Sequence, residues 1–325
     1  MKPAINKLNI QYQLQEQVGR GGLGQVYRAT QKATGQTVAV KVLNPEVQSD
    51  HELIGIFQKE MMMLMKLSHP NLVGLVDYCS EPPAYFLATD FVDGLSIHDM
   101  LQKFWRLPPL VAASICIQVF AALDHIHLRD LIHADLSAGN ILIRKDGRVL
   151  VTDLGLASDV LCDRYRYEIV GTAGYYSPEH VIAAPIGPQS DLYCVGLLFF
   201  EMLTGRKAIL PAKSTEKSRE IAESMRQINF EDIRCLDHKL EEVCRKLATL
   251  MLQWKLSQRV RDSEDAFCAF RQLLLMFGIT DPESCIHQFL VDGQLVEQKP
   301  KHVYQDIYFG NFPYTSDDIP NKNRA

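Results

Sequence analysis

Near residues 90–94 the chain changes its pattern, and that change constrains the fold more than any other feature. Before it lie "YQLQEQVGR", "GQVYRATQ", "TVAVKVLN", "NLVGLVDYC" and "AYFLATDFV". These segments are short and rich in β-branched or aromatic residues, with glycine-containing turns between them, as strands are. One stretch, "SDHELIGIFQKEMMMLMKL", interrupts with a Ser/Asp cap and apolar residues at helical spacing. After Gly94 the spacing is helical at about 96–105, 109–128, 190–204, 238–254 and 263–276. A strand pair, "ILIRKDGRVLVTD", turns at Asp146-Gly147. The expected fold is α+β and bilobal: a small β-rich lobe with one helix over about 10–89, a linker at 90–94 and a larger helical lobe over 95–276. Residues 1–9 form an N-terminal extension and 277–325 a tail. In that tail, 286–297 carries a hairpin signal turning at Asp292-Gly293. The tail is expected to dock on the lobes, because "VYQDIYFGNFPY" is too aromatic to stand in water.

A chain of 325 residues is long enough for two such lobes around a sizeable core. Its net charge of −5, without a long Lys/Arg run, argues against nucleic acid as the main partner. The longest apolar stretches, "LVAASICIQVFAALDHIHL" and "LYCVGLLFFEML", are interrupted by Gln118 and Glu201 and keep helical spacing. They are expected to be buried core helices and not membrane segments. The first residues hold no apolar run of the secretory kind, and the eight cysteines are scattered without a CxxC pair. Reduced thiols and a cytoplasmic location are the expectation.

"GRGGLGQVY", residues 19–27, lies between two strands. Glycines there would let backbone N–H groups approach phosphates that side chains would block, although by itself the motif reads more readily as a flexible hairpin. Its place between strands, and not before a helix, excludes the dinucleotide-binding fingerprint. Lys41 ends "TVAVK", and Glu60 lies nineteen residues on in the helical stretch. A lone helical Glu is usually solvated; paired with Lys41, it would hold the ammonium against phosphate oxygens. "LIHADLSAGNIL" then brings Asp135 and Asn140, and "VTDLGLA" brings Asp153. Hard oxygens on Asn140 and Asp153 suit Mg²⁺, and Asp135 could accept a hydroxyl proton. Taken singly, each of the three reads better as a capping or turn residue. "GTAGYYSPEH" follows at 171–180, then Asp191 at the head of a helix, and Arg259 as a partner for Glu179.

Taken in this order over about 10–275, these motifs resemble the eukaryotic-like Ser/Thr protein kinases, particularly their bacterial branch. The resemblance implies ATP and Mg²⁺ as cofactors and a protein as substrate. It implies that Gly19, Gly21 and Gly24 cover the phosphates and that Lys41 with Glu60 positions them. Asp135 would be the catalytic base, with Asn140 and Asp153 holding the metal. Val26, Ala39 and Leu142 would enclose adenine, Thr89 would guard the pocket behind it, and Asp90 to Val92 would offer hinge backbone groups. Leu64, Leu75, His133 and Leu154 would stack into a column between lobes, although plain core packing is equally compatible with them.

The chain also departs from that family's usual catalytic loop, His-Arg-Asp-Leu-Lys-x-x-Asn. Ala134 replaces the Arg, Ser137 the Lys, and Gly139 leaves out the Arg that tyrosine kinases carry. A lost charge-assisted contact is worth about 1.5–3 kcal/mol, roughly 10- to 150-fold in rate. The "HADLS" wording resembles RIO-type kinases, and the "GN" after it the aminoglycoside-type phosphotransferases; both work without that Lys. The positive charge is therefore expected from Lys41 and Mg²⁺. With no Arg before Asp135, and Glu168 at the usual phosphorylated position, activity is expected not to depend on phosphorylation of that segment. Thr172 is expected to contact Asp135, and its place in "GTAGYYSPE" favours Ser/Thr over Tyr as acceptor. A pseudokinase or nucleotide-binding scaffold is the alternative, and a small-molecule phosphotransferase or ATPase switch comes third.

Overall fold

A computed structural model describes residues 4–20, 23–81, 84–154, 158–159, 172–209 and 217–295. The N-terminal lobe opens with α1 (Ala4–Gln11) and strands β1 (Tyr12–Arg20), β2 (Gly24–Gln31) and β3 (Thr37–Leu43). Helix α2 (His51–Lys66) follows, then β4 (Leu75–Glu81) and β5 (Ala84–Asp90). The five strands form one antiparallel sheet in the order β1-β2-β3-β5-β4. Because side chains alternate along a strand, the sheet has two distinct faces. Ala29, Val38, Val40, Phe86 and Ala88 pack on one with Leu8 of α1 and Tyr12. Val26, Ala39, Lys41 and Thr89 share the other, because Val26 pairs with Lys41 and Ala39 with Thr89. Helix α2 starts where Asp50 accepts from the amides of Glu52 and Leu53.

The C-terminal lobe contains β6 (Gly94–Ser96), α3 (Ile97–Phe104), α4 (Pro109–His127), β7 (Leu131–Ile132), β8 (Ile141–Arg144), β9 (Val149–Val151) and β10 (Ser158–Asp159). Helices α5 (Pro178–Val181), α6 (Pro188–Thr204), α7 (Lys217–Arg226), α8 (His238–Met251), α9 (Ser263–Met276) and α10 (Pro282–Asp292) complete it. Helix α7 was not among the helices expected from the sequence, although Ile221 and Met225 are buried at helical spacing on its otherwise polar surface. The linker expected at 90–94 joins β5 to β6. Helix α4 is long and apolar enough to cross a membrane by composition, yet it is the lobe's central core helix. Its neighbours are α6, α9 and α10, and the Phe120 ring meets Phe270 edge-on at 5.1 Å.

The hairpin expected over 286–297 is not formed. Residues 282–292 are helical, with Asp281 capping the amides of Glu283 and Ser284 and Pro282 in the first turn. Cys285, Ile286, Phe289 and Leu290 are buried at helical spacing against the lobe, which decides the matter against a strand. Asp292-Gly293 ends the helix and does not turn a hairpin. The tail therefore docks through α10, whereas "VYQDIYFGNFPY" lies outside the described residues.

Candidate active site

The lobes meet around Lys41. Its Nζ donates to Glu60 Oε1 at 2.9 Å, to Glu60 Oε2 at 2.8 Å and to Asp153 Oδ1 at 2.8 Å. Burial works against the ammonium, but the two carboxylates outweigh it and hold its pKa above the ordinary lysine value. Burial pushes the Glu60 carboxyl up to about 7, against the pull of Lys41. Burial also acts to raise Asp153, yet Lys41 prevails and holds it below the usual range. Asp153, two residues after β9, adopts a left-handed φ of 64°.

Two of the three glycines expected over phosphates fall within the described residues, and Gly21 does not. At Gly24 a Cβ would lie 2.3 Å from the Val42 carbonyl oxygen, so β2 and β3 approach there as only glycine allows. At Gly19 a Cβ would be 3.4 Å from that of Val26. Val26, Ala39 and Thr89 lie on the same sheet face as Lys41, half-buried, and Leu142 on β8 is half-buried in the opposite lobe. Asp90 is exposed and Val92 half-buried along the linker. Leu64, His133 and Leu154 are buried, and Leu75 packs against the same apolar cluster as Leu64 and Leu154.

Asp135 faces the segment that begins at Thr172. Its Oδ1 accepts from the Thr172 amide at 2.9 Å and from Thr172 Oγ1 at 2.8 Å. Burial raises the Asp135 carboxyl above the ordinary aspartate range, and the Thr172 hydroxyl opposes the rise. Asn140 Nδ2 donates to the Asp135 carbonyl at 2.8 Å, and the Thr152 amide donates to the Asn140 carbonyl at 3.0 Å. Asn140 and Asp153 thus flank the β8–β9 pair, held across its open end. Ser137, at the missing lysine's position, is buried.

Asp191 holds the loop from below. Its Oδ2 accepts from the His133 amide at 2.8 Å and from His127 Nε2 at 2.9 Å. Its Oδ1 accepts from the Ala134 amide at 2.9 Å, and Ala134 takes a left-handed φ of 65°. Burial alone would raise Asp191, but its bond from His127 leads a set that keeps the carboxyl below the usual range. His133 completes the arrangement by donating through Nε2 to the Thr152 carbonyl at 3.1 Å. Further back, the Arg259 guanidinium meets both oxygens of Glu179, at 3.0 and 3.1 Å, as expected from the sequence.

The pattern of the protein kinase domain matches residues 12–268. The chain belongs to the protein kinase family. It is 34% identical over 200 residues to a probable serine/threonine-protein kinase of Clostridium perfringens, which covers 61% of this chain and 29% of that relative. Identity to the serine/threonine-protein kinase PkaA of Streptomyces coelicolor is 34% over 222 residues, 63% of this chain and 40% of the relative. To PrkC of Bacillus subtilis it is 31% over 202 residues, 62% of this chain and 31% of the relative. The shared region is therefore well under half the length of these relatives.

Protein kinases use ATP with Mg²⁺, and the donor set of this kinase domain fits the metal. Asn140 commits its Nδ2 to the Asp135 carbonyl, which leaves the amide oxygen as its free donor. With one carboxylate, Asp153, this gives two hard protein oxygens, the number Mg²⁺ commonly takes when phosphate and water fill its other positions. Sequence reasoning placed Asp191 at a helix head without its role, and it passed over Lys207. The role of Asp191 rests on partners 57 to 64 positions away. Lys207 donates to the Ala173 carbonyl at 2.8 Å and covers the Tyr175 ring at 4.3 Å. No local pattern marked Lys207 or the partners of Asp191.

Proposed function

We propose that this kinase domain transfers the terminal phosphate of ATP to Ser or Thr hydroxyls of protein substrates. The observation that carries the reading is the closed ion triad, in which Lys41 sits between Glu60 and Asp153. Lys41 thereby places one fixed positive charge on the sheet face that also carries Val26, Ala39 and Thr89. Asp135 accepts the proton of the attacking hydroxyl, and its raised carboxyl pKa makes it the stronger base. Asn140 and Asp153 would hold Mg²⁺, which neutralises phosphate charge when bound. Gly19, Gly21 and Gly24 cover the phosphates, Val26, Ala39 and Leu142 enclose adenine, and the linker backbone at Asp90 to Val92 reads its edge.

The Thr172 bonds tie the base to the "GTAGYYSPE" segment, which supports a protein acceptor over a small molecule. Ala134 and Ser137 favour a second reading, a nucleotide-binding scaffold with weak turnover, because the loop from His133 to Asn140 has no cation. The seven cysteines among the described residues stand outside disulfides, which supports a reducing, cytoplasmic setting.

The test is labelled ATP with Mg²⁺ and a generic basic protein, followed by phosphoamino-acid analysis. We expect phosphoserine or phosphothreonine, abolished in folded Lys41→Met and Asp153→Ala. Binding of nucleotide without transfer would establish the scaffold reading instead. Normal transfer by either variant would overturn the site assignment.

A further inference from the structure

Helix α10 lies beyond the kinase match, which ends at residue 268, yet it packs on the turn of the β8–β9 hairpin. We infer that α10 is a brace that positions Asn140 and Asp153. The inference rests on the site reading proposed above. Its mechanical basis is the hairpin itself. Asn140 immediately precedes β8, and Asp153 follows β9 by two residues. Between them run only three cross-strand pairs, Ile141 with Val151, Leu142 with Leu150 and Ile143 with Val149. With β6 paired along the other edge of β8, the ladder is one small three-stranded unit that runs from the turn to its open end, so displacement of the turn is passed to Asn140 and Asp153.

That turn is gripped from two sides. On one, Gly147 has a φ of 89°, and a Cβ there would lie 1.9 Å from the Glu283 carbonyl oxygen of α10. The backbones of turn and helix are therefore in direct contact. His287 Nδ1 donates to the Lys145 carbonyl at 2.7 Å, and Arg148 Nε lies 3.4 Å from Glu283 Oε1. On the other side, Gln118 of α4 donates to the Gly147 carbonyl at 3.1 Å and accepts from the Val149 amide at 2.9 Å. Helix α10 is itself fixed: Ile286 and Leu290 are buried, and the Phe289 ring meets Phe104 of α3 at 4.9 Å. The grip is thus anchored at both ends of the helix, with His287 and Glu283 as positioning residues that never touch nucleotide.

The test uses the full chain. Glu283→Ala with His287→Ala removes both side-chain links but keeps the buried face of α10, and alanine preserves the helix. Gly147→Ala pushes the turn off the helix without changing α10. His287→Gln is the rescue, since its amide can still donate to Lys145. In nucleotide-free protein we expect amide exchange at Val149 to Val151 to speed up about tenfold in the double variant and in Gly147→Ala, but not in His287→Gln. In turnover, the Mg²⁺ concentration for half-maximal rate should rise several-fold, with kcat at saturating Mg²⁺ little changed. A lowered melting temperature with unchanged exchange and unchanged Mg²⁺ demand would overturn the brace and leave α10 as packing alone. The exchange measurement needs no activity, so a chain that transfers no phosphate would refute the proposed reaction while the brace is still tested.

Discussion

Replacing Asp191 tests how the catalytic loop is held. Asp191 is 1% exposed, and its carboxylate accepts three hydrogen bonds, from His127 Nε2 and from the amides of His133 and Ala134. In Asp191→Ala the two amides are left unpaired inside the lobe. Each orphaned buried group costs about 1–3 kcal/mol, so the pair costs about 2–6 kcal/mol. Ala134 also loses the acceptor that fixes its left-handed backbone, a conformation that costs a non-glycine residue about 1–2 kcal/mol. Against a typical domain stability of about 5–15 kcal/mol, the variant should fold but be severely weakened. Asp191→Asn keeps a carbonyl oxygen for one amide and gives up the charge. Its cost should be about 1–3 kcal/mol, because one of the two amides still loses its acceptor. Urea unfolding supplies both stabilities, and turnover per folded molecule supplies the effect on Asp135, which directly follows Ala134. Turnover should fall in both variants, more in Ala. An Ala variant within about 1 kcal/mol of the parent, with normal turnover, would refute the view that this acid holds the loop.

For Glu60, burial lifts the carboxyl from 4.5 to about 7, so between those values the folded chain holds a proton that the unfolded chain releases. Its contribution to stability is full below 4.5 and is lost as pH rises through 7, while the Lys41 pair needed for transfer forms over the same interval. Turnover should therefore climb toward neutral pH as the parent loses stability relative to Glu60→Gln; parallel stability profiles for the two would contradict this. Thr172→Val removes a hydroxyl that opposes the raised Asp135 carboxyl, so the acid limb of the rate profile should move to higher pH, with Thr172→Ser restoring it. An unmoved limb would show that Asp135 does not titrate in the rate. Arg259→Ala strands buried Glu179 without its bidentate partner and should cost about 3–5 kcal/mol in urea unfolding, most of it recovered when Glu179 is made Leu as well. A loss below about 1 kcal/mol would mean the pair is dispensable.

The bilobal fold was legible because its signals are local. Alternation along β2, β3 and β5 and helical spacing in α2, α4, α6, α8 and α9 each lie within one segment. The Lys41–Glu60 pair was legible too, since a strand end and a helix nineteen residues on bring complementary charges together only if the helix packs on that sheet. The Thr172–Asp135 and Arg259–Glu179 contacts followed from motif order. The tail misled at Asp292-Gly293, because Asp-Gly serves equally to turn a hairpin and to end a helix. The burial of Ile286, Phe289 and Leu290 settled that choice, and burial depends on a surface built by residues far away.

By itself, then, the sequence determined the element types, the two lobes and the set of acids, amide and lysine available for phosphate chemistry. Only the tertiary structure decided which carboxylate does what. Asp135, Asp153 and Asp191 read alike, each an aspartate followed by leucine. They differ in what surrounds them: a threonine hydroxyl, a lysine, or two loop amides and a histidine. Those partners lie 37 to 112 positions away, so no window of sequence contains them. The protonation and task of each acid come from burial and charge contributed by distant segments, and these exist only once the chain has folded.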